Sequence, residues 1–382
     1  MFLKHRKTKH RKPRVNTAVS ALLRRFYAPK RQERREGKAL ANDTKERIAL
    51  WDIVKALGII SIVLGHCCPS AEVVIFVYSY HLIVFFFAMG VLYNEEKYGD
   101  HPFRYAISRL KRLWPPYFFY YLFFILIHNL VSDDKYTLRD TAVEILKAAV
   151  FDAKETLGGA MWFIPFMLIV LFAFAGIVFV SRLIFKKDDK RNAYIAVIVA
   201  SSAVGAAGLF FNYKGISLPF HLQACMLVMP GVTAGYAFSH FKLRPEKVFR
   251  IWAAIPAAAV VIISSNIQDH RVELAFDQTG GAERFYLVSF CGIYLICTIA
   301  LYLSKFRVTS CVFSFIGKYT FDIMSLHLFI NYLVTKAFSF LPEGFAPFAW
   351  VVSLAVSMIL PPLIRIAAAR IYSLSRKLCG IS

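Results

Sequence analysis

Acidic residues are scarce. The 382-residue chain carries 24 Asp and Glu against 46 Lys and Arg, a formal net charge of +22. Residues 1–46 alone hold 15 Lys/Arg and 4 Asp/Glu, a net of +11 and half of the total. A nucleic-acid-binding surface would need that charge gathered on a folded face. Here the remainder falls in short loops between apolar runs, which signals membrane topology first and attraction to anionic lipid second, with no nucleic-acid partner expected. Metal-ligand spacing is lacking too. The seven cysteines, Cys67, Cys68, Cys225, Cys291, Cys297, Cys311 and Cys379, are scattered, and most lie in apolar runs as small hydrophobes. Neither a disulfide framework nor a metal centre is expected. No apolar run precedes residue 47, so no cleavable secretory signal is read, and no internal repeat or appended soluble domain is visible.

What remains is apolar: 58% hydrophobic residues and a mean hydropathy of +0.52. This composition belongs to a polytopic membrane protein. The reading is an all-α integral membrane fold of about ten transmembrane helices, at 48–67, 72–92, 114–131, 160–182, 193–211, 218–239, 250–265, 284–304, 311–336 and 346–370. With the basic tail inside, the loops 93–113, 183–192, 240–249 and 305–310 are basic and cytoplasmic. The longest outer loop, 132–159, has 4 Lys/Arg against 6 Asp/Glu, a net of −2. Both termini are therefore expected in the cytoplasm, of a chain in the plasma or inner membrane.

The stretch Arg47–His66, RIALWDIVKALGIISIVLGH, is apolar enough to enter the bilayer yet carries Asp52, Lys55 and His66. Ionisable groups inside a span are costly and mark function by default. Lys55 and His66 are eleven residues apart, roughly three turns plus 20°, so they share a helix face with about 16 Å between them. Asp52 lies one turn before Lys55, within pairing reach.

Four further segments carry candidates. YSYHLIVFFFAMGVLY holds His81 ahead of Phe85–Phe87 and Gly90; a satisfied histidine in an aromatic core would look the same. SRLKRLWPPYFF sets Arg109 and Arg112 three apart on one helix face. Pro115-Pro116 reads as the start of the third span, and two guanidiniums beside a helix N-terminus suit an anion. GGAMWFIPF places Trp162 and Phe163 after Gly158-Gly159, fitting either an interfacial aromatic belt or a site. IGKYTFDIMSLHLFI spaces Lys318 and Asp322 for an ion pair, with His327 deeper.

The order of these elements resembles the acyltransferase 3 family of membrane acyltransferases, which acylate cell-surface glycans, in a branch similar to fucose 4-O-acetylase. The resemblance rests on Lys55-x10-His66, the Arg109-x-x-Arg112 element, Trp162-Phe163 and His327. It implies an O-acyltransferase domain over 47–372, followed by a short cytoplasmic tail at 373–382; the preceding stretch 1–46 reads from its composition as a basic, disordered cytoplasmic tail, and this extension departs from the family, which starts close to its first span. The resemblance also implies acetyl-CoA as co-substrate, with phosphates held by Arg109, Arg112 and Lys55, and a cell-surface glycan or lipid-linked sugar as acceptor. His66, with Lys55 and Asp52, is the expected catalytic group; an imidazole of unperturbed pKa about 6.5 suits a general base or a covalent acyl carrier. Trp162, His81 and His327 are further site candidates. The competing reading is a secondary transporter using Asp52, Lys55, Asp322 and His327 as a proton or substrate path.

Overall fold

The computed structural model describes residues 49–151, 156–185, 189–216, 218–267, 271–276, 278–279 and 281–378. The basic tail at 1–46 lies outside them. Fifteen α-helices follow in order among the described residues: α1 (Ala49–Cys67), α2 (Ala71–Tyr78), α3 (His81–Val91), α4 (Glu95–Tyr98), α5 (Pro102–Val131), α6 (Leu138–Ala149), α7 (Phe163–Ile184) and α8 (Lys190–Tyr213). Then come α9 (Leu222–His240), α10 (Pro245–Val248), α11 (Ile251–Ile267), α12 (Ala282–Ser304), α13 (Arg307–Lys318), α14 (Thr320–Phe338) and α15 (Ala349–Leu378). Among the described residues no strand forms beyond one isolated bridge, Glu273 to Gln278.

Seven helical stretches are long and apolar enough to cross a membrane: Ala49–Cys67, Ala71–Val91, Leu157–Ile184, Lys190–Tyr213, Pro219–His240, Phe285–Ser304 and Glu343–Ser375. The multi-pass, all-helical fold stands. The other three expected spans are helices that fall short on length or composition. α11 has 17 residues. The C-terminal half of α5 is rich in Tyr and carries His128 and Asn129 in its last turn, before Val131. The span expected over 311–336 is not one helix: it breaks at Tyr319 into α13 and α14. Nor is 132–159 simply an outer loop. Thr137 and Asp140 cap α6 reciprocally, the Asp140 N–H donating to Thr137 Oγ1 (3.2 Å) and the Thr137 N–H to Asp140 Oδ2 (3.0 Å). α6 then doubles back along α5. Asn129 bonds Tyr136 at one end, and the Trp114 indole donates to the Ala149 carbonyl at the other (2.9 Å), about 22 Å further down α5. α15 runs on to Leu378, through most of the expected C-terminal tail.

Close backbone packing holds the bundle. A Cβ on Gly90 would collide with the Val232 carbonyl of α9, and one on Gly235 with the Phe87 carbonyl of α3. Gly231-x3-Gly235 thus lets two helices approach as small residues do in membranes. Hydroxyls inside the spans bond to carbonyls of their own helix, as Ser61 does to Leu57 (2.9 Å) and Ser325 to Phe321 (2.9 Å), which satisfies them without water. At one end, Arg182 of α7 donates to Asp100 (2.9 Å) and Glu95 (2.8 Å), and the Tyr236 hydroxyl of α9 donates to Glu95 (2.6 Å). This clamp fixes the turn that leads into α5.

Candidate functional site

Sequence candidates from α1 and α5 converge on one cavity of about 410 Å³. Lys55 of α1, Arg109 and Arg112 of α5, Lys318 at the end of α13 and Arg365 of α15 line it, and Asp322 of α14 is the carboxylate among the lining residues. Asp52 and Lys55 pair as their spacing predicts, Nζ to Oδ1 at 2.6 Å. Gly317 brings α13 against the backbone of Asp52, where a Cβ would clash with the Asp52 carbonyl oxygen. The Arg109 guanidinium lies over the Tyr105 ring at 4.8 Å, and its Nε is buried with no hydrogen-bond partner among the described residues. Five cations facing one cavity, one with an unused donor, suit a polyanion that brings several acceptor oxygens.

Two expectations about this cavity change. Pro115 and Pro116 sit inside α5, whose N-terminus is Pro102, so they do not supply the helix N-terminus expected beside Arg109 and Arg112. The helix N-terminus that lines this cavity is instead that of α14, at Thr320, which adds to the side-chain charge. Lys318 does not pair with Asp322. The helix break at Tyr319 takes away the geometry of an i,i+4 pair, and Asp322 instead accepts from the Tyr120 hydroxyl (2.8 Å).

The remaining candidates gather around the other end of α1, in a small cleft of about 50 Å³ lined by His66, Tyr78, His81, Trp162 and residues 272–275, among others. Gly65 packs on the Tyr78 ring, which brings α2 against the end of α1. The Tyr78 hydroxyl lies 3.4 Å from His66 Nδ1, a long hydrogen bond. The Tyr78 ring is 4.5 Å from His81, and the His66 ring 5.2 Å from His327. Of the three histidines only His66 is exposed. His81 Nδ1 is hydrogen-bonded to the Val77 carbonyl (3.0 Å) and His327 Nδ1 to the Met324 carbonyl (2.8 Å), so both rings donate there and are fixed. His327 Nε2 is buried with no partner among the described residues. Asn331 donates to the His66 carbonyl (3.2 Å), holding the end of α1 to α14. The Trp162 ring packs, tilted, at 5.2 Å from both Phe166 and His221.

The structure therefore divides the sequence candidates. Lys55, Arg109 and Arg112 share the cationic cavity; His66, His81 and Trp162 line the histidine cleft, and His327 lies buried behind it, 5.2 Å from the His66 ring. Asp52 and Lys55 do not touch His66, because about 16 Å of helix separates them. Met324 and Phe163 line both chambers and form the wall between them. Sequence reasoning missed Tyr78, Tyr120, Arg271, Glu273 and Arg365. Tyr78 lies only three residues before His81, one helical turn, which was its single visible signal. The others are brought in from distant segments.

A sequence model of the acyltransferase domain of the acyltransferase 3 family matches residues 48–365. The match takes in α1 with Lys55 and His66 and runs as far as Arg365. No curated protein and no solved structure matches the chain.

Proposed function

The chain belongs to the acyltransferase 3 family, and on that premise we propose that it moves an acetyl group from cytoplasmic acetyl-CoA to a hydroxyl of a cell-surface carbohydrate or its lipid-linked precursor. One observation carries this reading: an accessible, hydrogen-bonded histidine in a cleft separated by two side chains from a cavity bearing five cations. The cations would hold the phosphates of the donor, with Arg109 and Arg112 central. Acetyl-CoA supplies the thioester. His66 takes the proton from the acceptor hydroxyl as its oxygen attacks the thioester carbonyl. The C–S bond breaks, the CoA thiolate leaves, and it is reprotonated from the imidazolium, giving the acyl ester and free CoA. Tyr78 holds the His66 ring, and Trp162 offers an aromatic face to a sugar. The low-dielectric surroundings strengthen each of these contacts.

The test is the acyl-ester content of surface glycans in cells lacking the gene, rescued with wild type or His66→Ala at equal membrane expression. Rescue by wild type alone supports both the activity and His66. Full rescue by His66→Ala removes His66 from the mechanism, and no change in acyl ester in any strain removes the activity.

A further inference from the structure

Residues 272–275 line the histidine cleft. Val272 and Leu274 are buried and anchor this segment, and the Glu273 N–H donates to the Gln278 carbonyl (2.8 Å) while the Gln278 N–H returns to Glu273 (3.0 Å). Between the two anchors, Glu273 is the carboxylate lining the cleft beside His66. Arg271 Nε donates to Glu273 Oε2 (2.7 Å), and the same guanidinium lies over the Tyr78 ring at 4.8 Å. Tyr78 in turn bonds His66. One arginine thus ties a carboxylate and the histidine's hydrogen-bond partner into one unit. No hydrogen bond reaches the other oxygen of Glu273 among the described residues.

We propose that Glu273 forms an acceptor subsite, holding a hydroxyl that neighbours the one acylated, with Arg271 as the residue that positions both Glu273 and Tyr78. This rests on the acyltransferase reading above and names the part of the molecule that recognises the acceptor. A carboxylate with a free oxygen beside an aromatic face (Trp162) takes a ligand that donates hydrogen bonds and presents an apolar ring face, which is the edge of an uncharged pyranose. It repels an acceptor carrying a carboxylate or phosphate at that position. The pair is unevenly exposed, Arg271 at 42% and Glu273 at 17%, so the carboxylate faces the cleft more than solvent.

The experiment uses the full chain, purified and placed in lipid vesicles, with radiolabelled acetyl-CoA as donor. The acceptor is glycan extracted from cells lacking the gene. If wild type transfers no label, the acyltransferase reading itself falls. If it does, Glu273→Ala is expected to raise the KM for glycan by about 10- to 100-fold, the loss of a hydrogen bond to a charged group. Acetyl-CoA affinity, measured on the same preparation, stays at the wild-type value and certifies the fold. Arg271→Ala lowers kcat and raises the glycan KM together, and Arg271→Lys restores part of both. An unchanged glycan KM in Glu273→Ala overturns the proposal while leaving the transfer activity standing. So does a loss of donor affinity equal to the loss of transfer, since the segment would then only hold the fold.

Discussion

Replacing His66 by alanine should stop the chemistry and spare donor binding. The ring sits in its own cleft, about 16 Å along α1 from Lys55, behind Met324 and Phe163, and touches none of the five cations. Removing a general base typically costs about 10²–10⁴-fold, or roughly 3–5.5 kcal/mol of transition-state stabilisation. Tyr78→Phe offers an internal scale. Its hydrogen bond to His66 is long, at 3.4 Å, and a neutral bond of that kind is worth at most about 1 kcal/mol, which predicts a loss of about two- to fivefold. The assay is single-turnover transfer from bound radiolabelled acetyl-CoA, with donor affinity measured in parallel. Expected are a fall of at least about 10²-fold in rate for His66→Ala, a few-fold fall for Tyr78→Phe, and unchanged affinity for both. A His66→Ala rate within about threefold of wild type would refute the argument, since no general base costs so little. Equal losses in both variants would transfer the role to the tyrosine.

The cationic cavity predicts the complementary pattern: Arg109→Ala and Arg112→Ala each raise the acetyl-CoA KM by about 10-fold or more, and salt weakens wild-type donor binding more than that of either variant. Lys55→Ala leaves the buried Asp52 carboxylate without its 2.6 Å partner. With Lys55 a quarter exposed, the loss should be about 1–2 kcal/mol, below that of a fully buried pair, and adding Asp52→Asn should recover part of it in thermal unfolding in detergent. Gly235→Leu forces α9 away from the Phe87 carbonyl; the expected outcome is loss of folded protein on size-exclusion chromatography, whereas Gly344→Leu, with open space around it, should be tolerated.

Legibility followed the range of the contact. Asp52, Lys55 and His66 lie on one helix, so their relative placement depends only on helical periodicity, and the pair at 2.6 Å follows from it. The same arithmetic misled where a helix started or stopped unannounced. Pro115-Pro116 reads as a helix start because proline is at home there, yet α5 runs through it. Between Lys318 and Thr320 no proline marks the break; its nearest signal is Gly317, which packs against the backbone of Asp52. α6 was hidden by its own balanced charges, which imitate a solvated loop. Tyr78 with Arg271, and Tyr120 with Asp322, are pairs about 200 residues apart in the chain. No local pattern encodes them, so that side of the histidine cleft could not be read in advance.

The spacing within α1 also sets what the rest of the chain has to do. A single rigid helix holds Lys55 in one chamber and His66 in the other, so the two cannot approach each other by any side-chain motion. Met324 and Phe163 line both chambers and stand between them. Phe163 is locked at the start of α7 by aromatic contacts to Phe85, Phe86 and Phe166. The backbone at Met324 is pinned through its carbonyl to His327 Nδ1 at 2.8 Å. What can yield is the Met324 side chain, which is unbranched and has three rotatable bonds. The residues common to both chambers are thus one fixed ring and one flexible thioether.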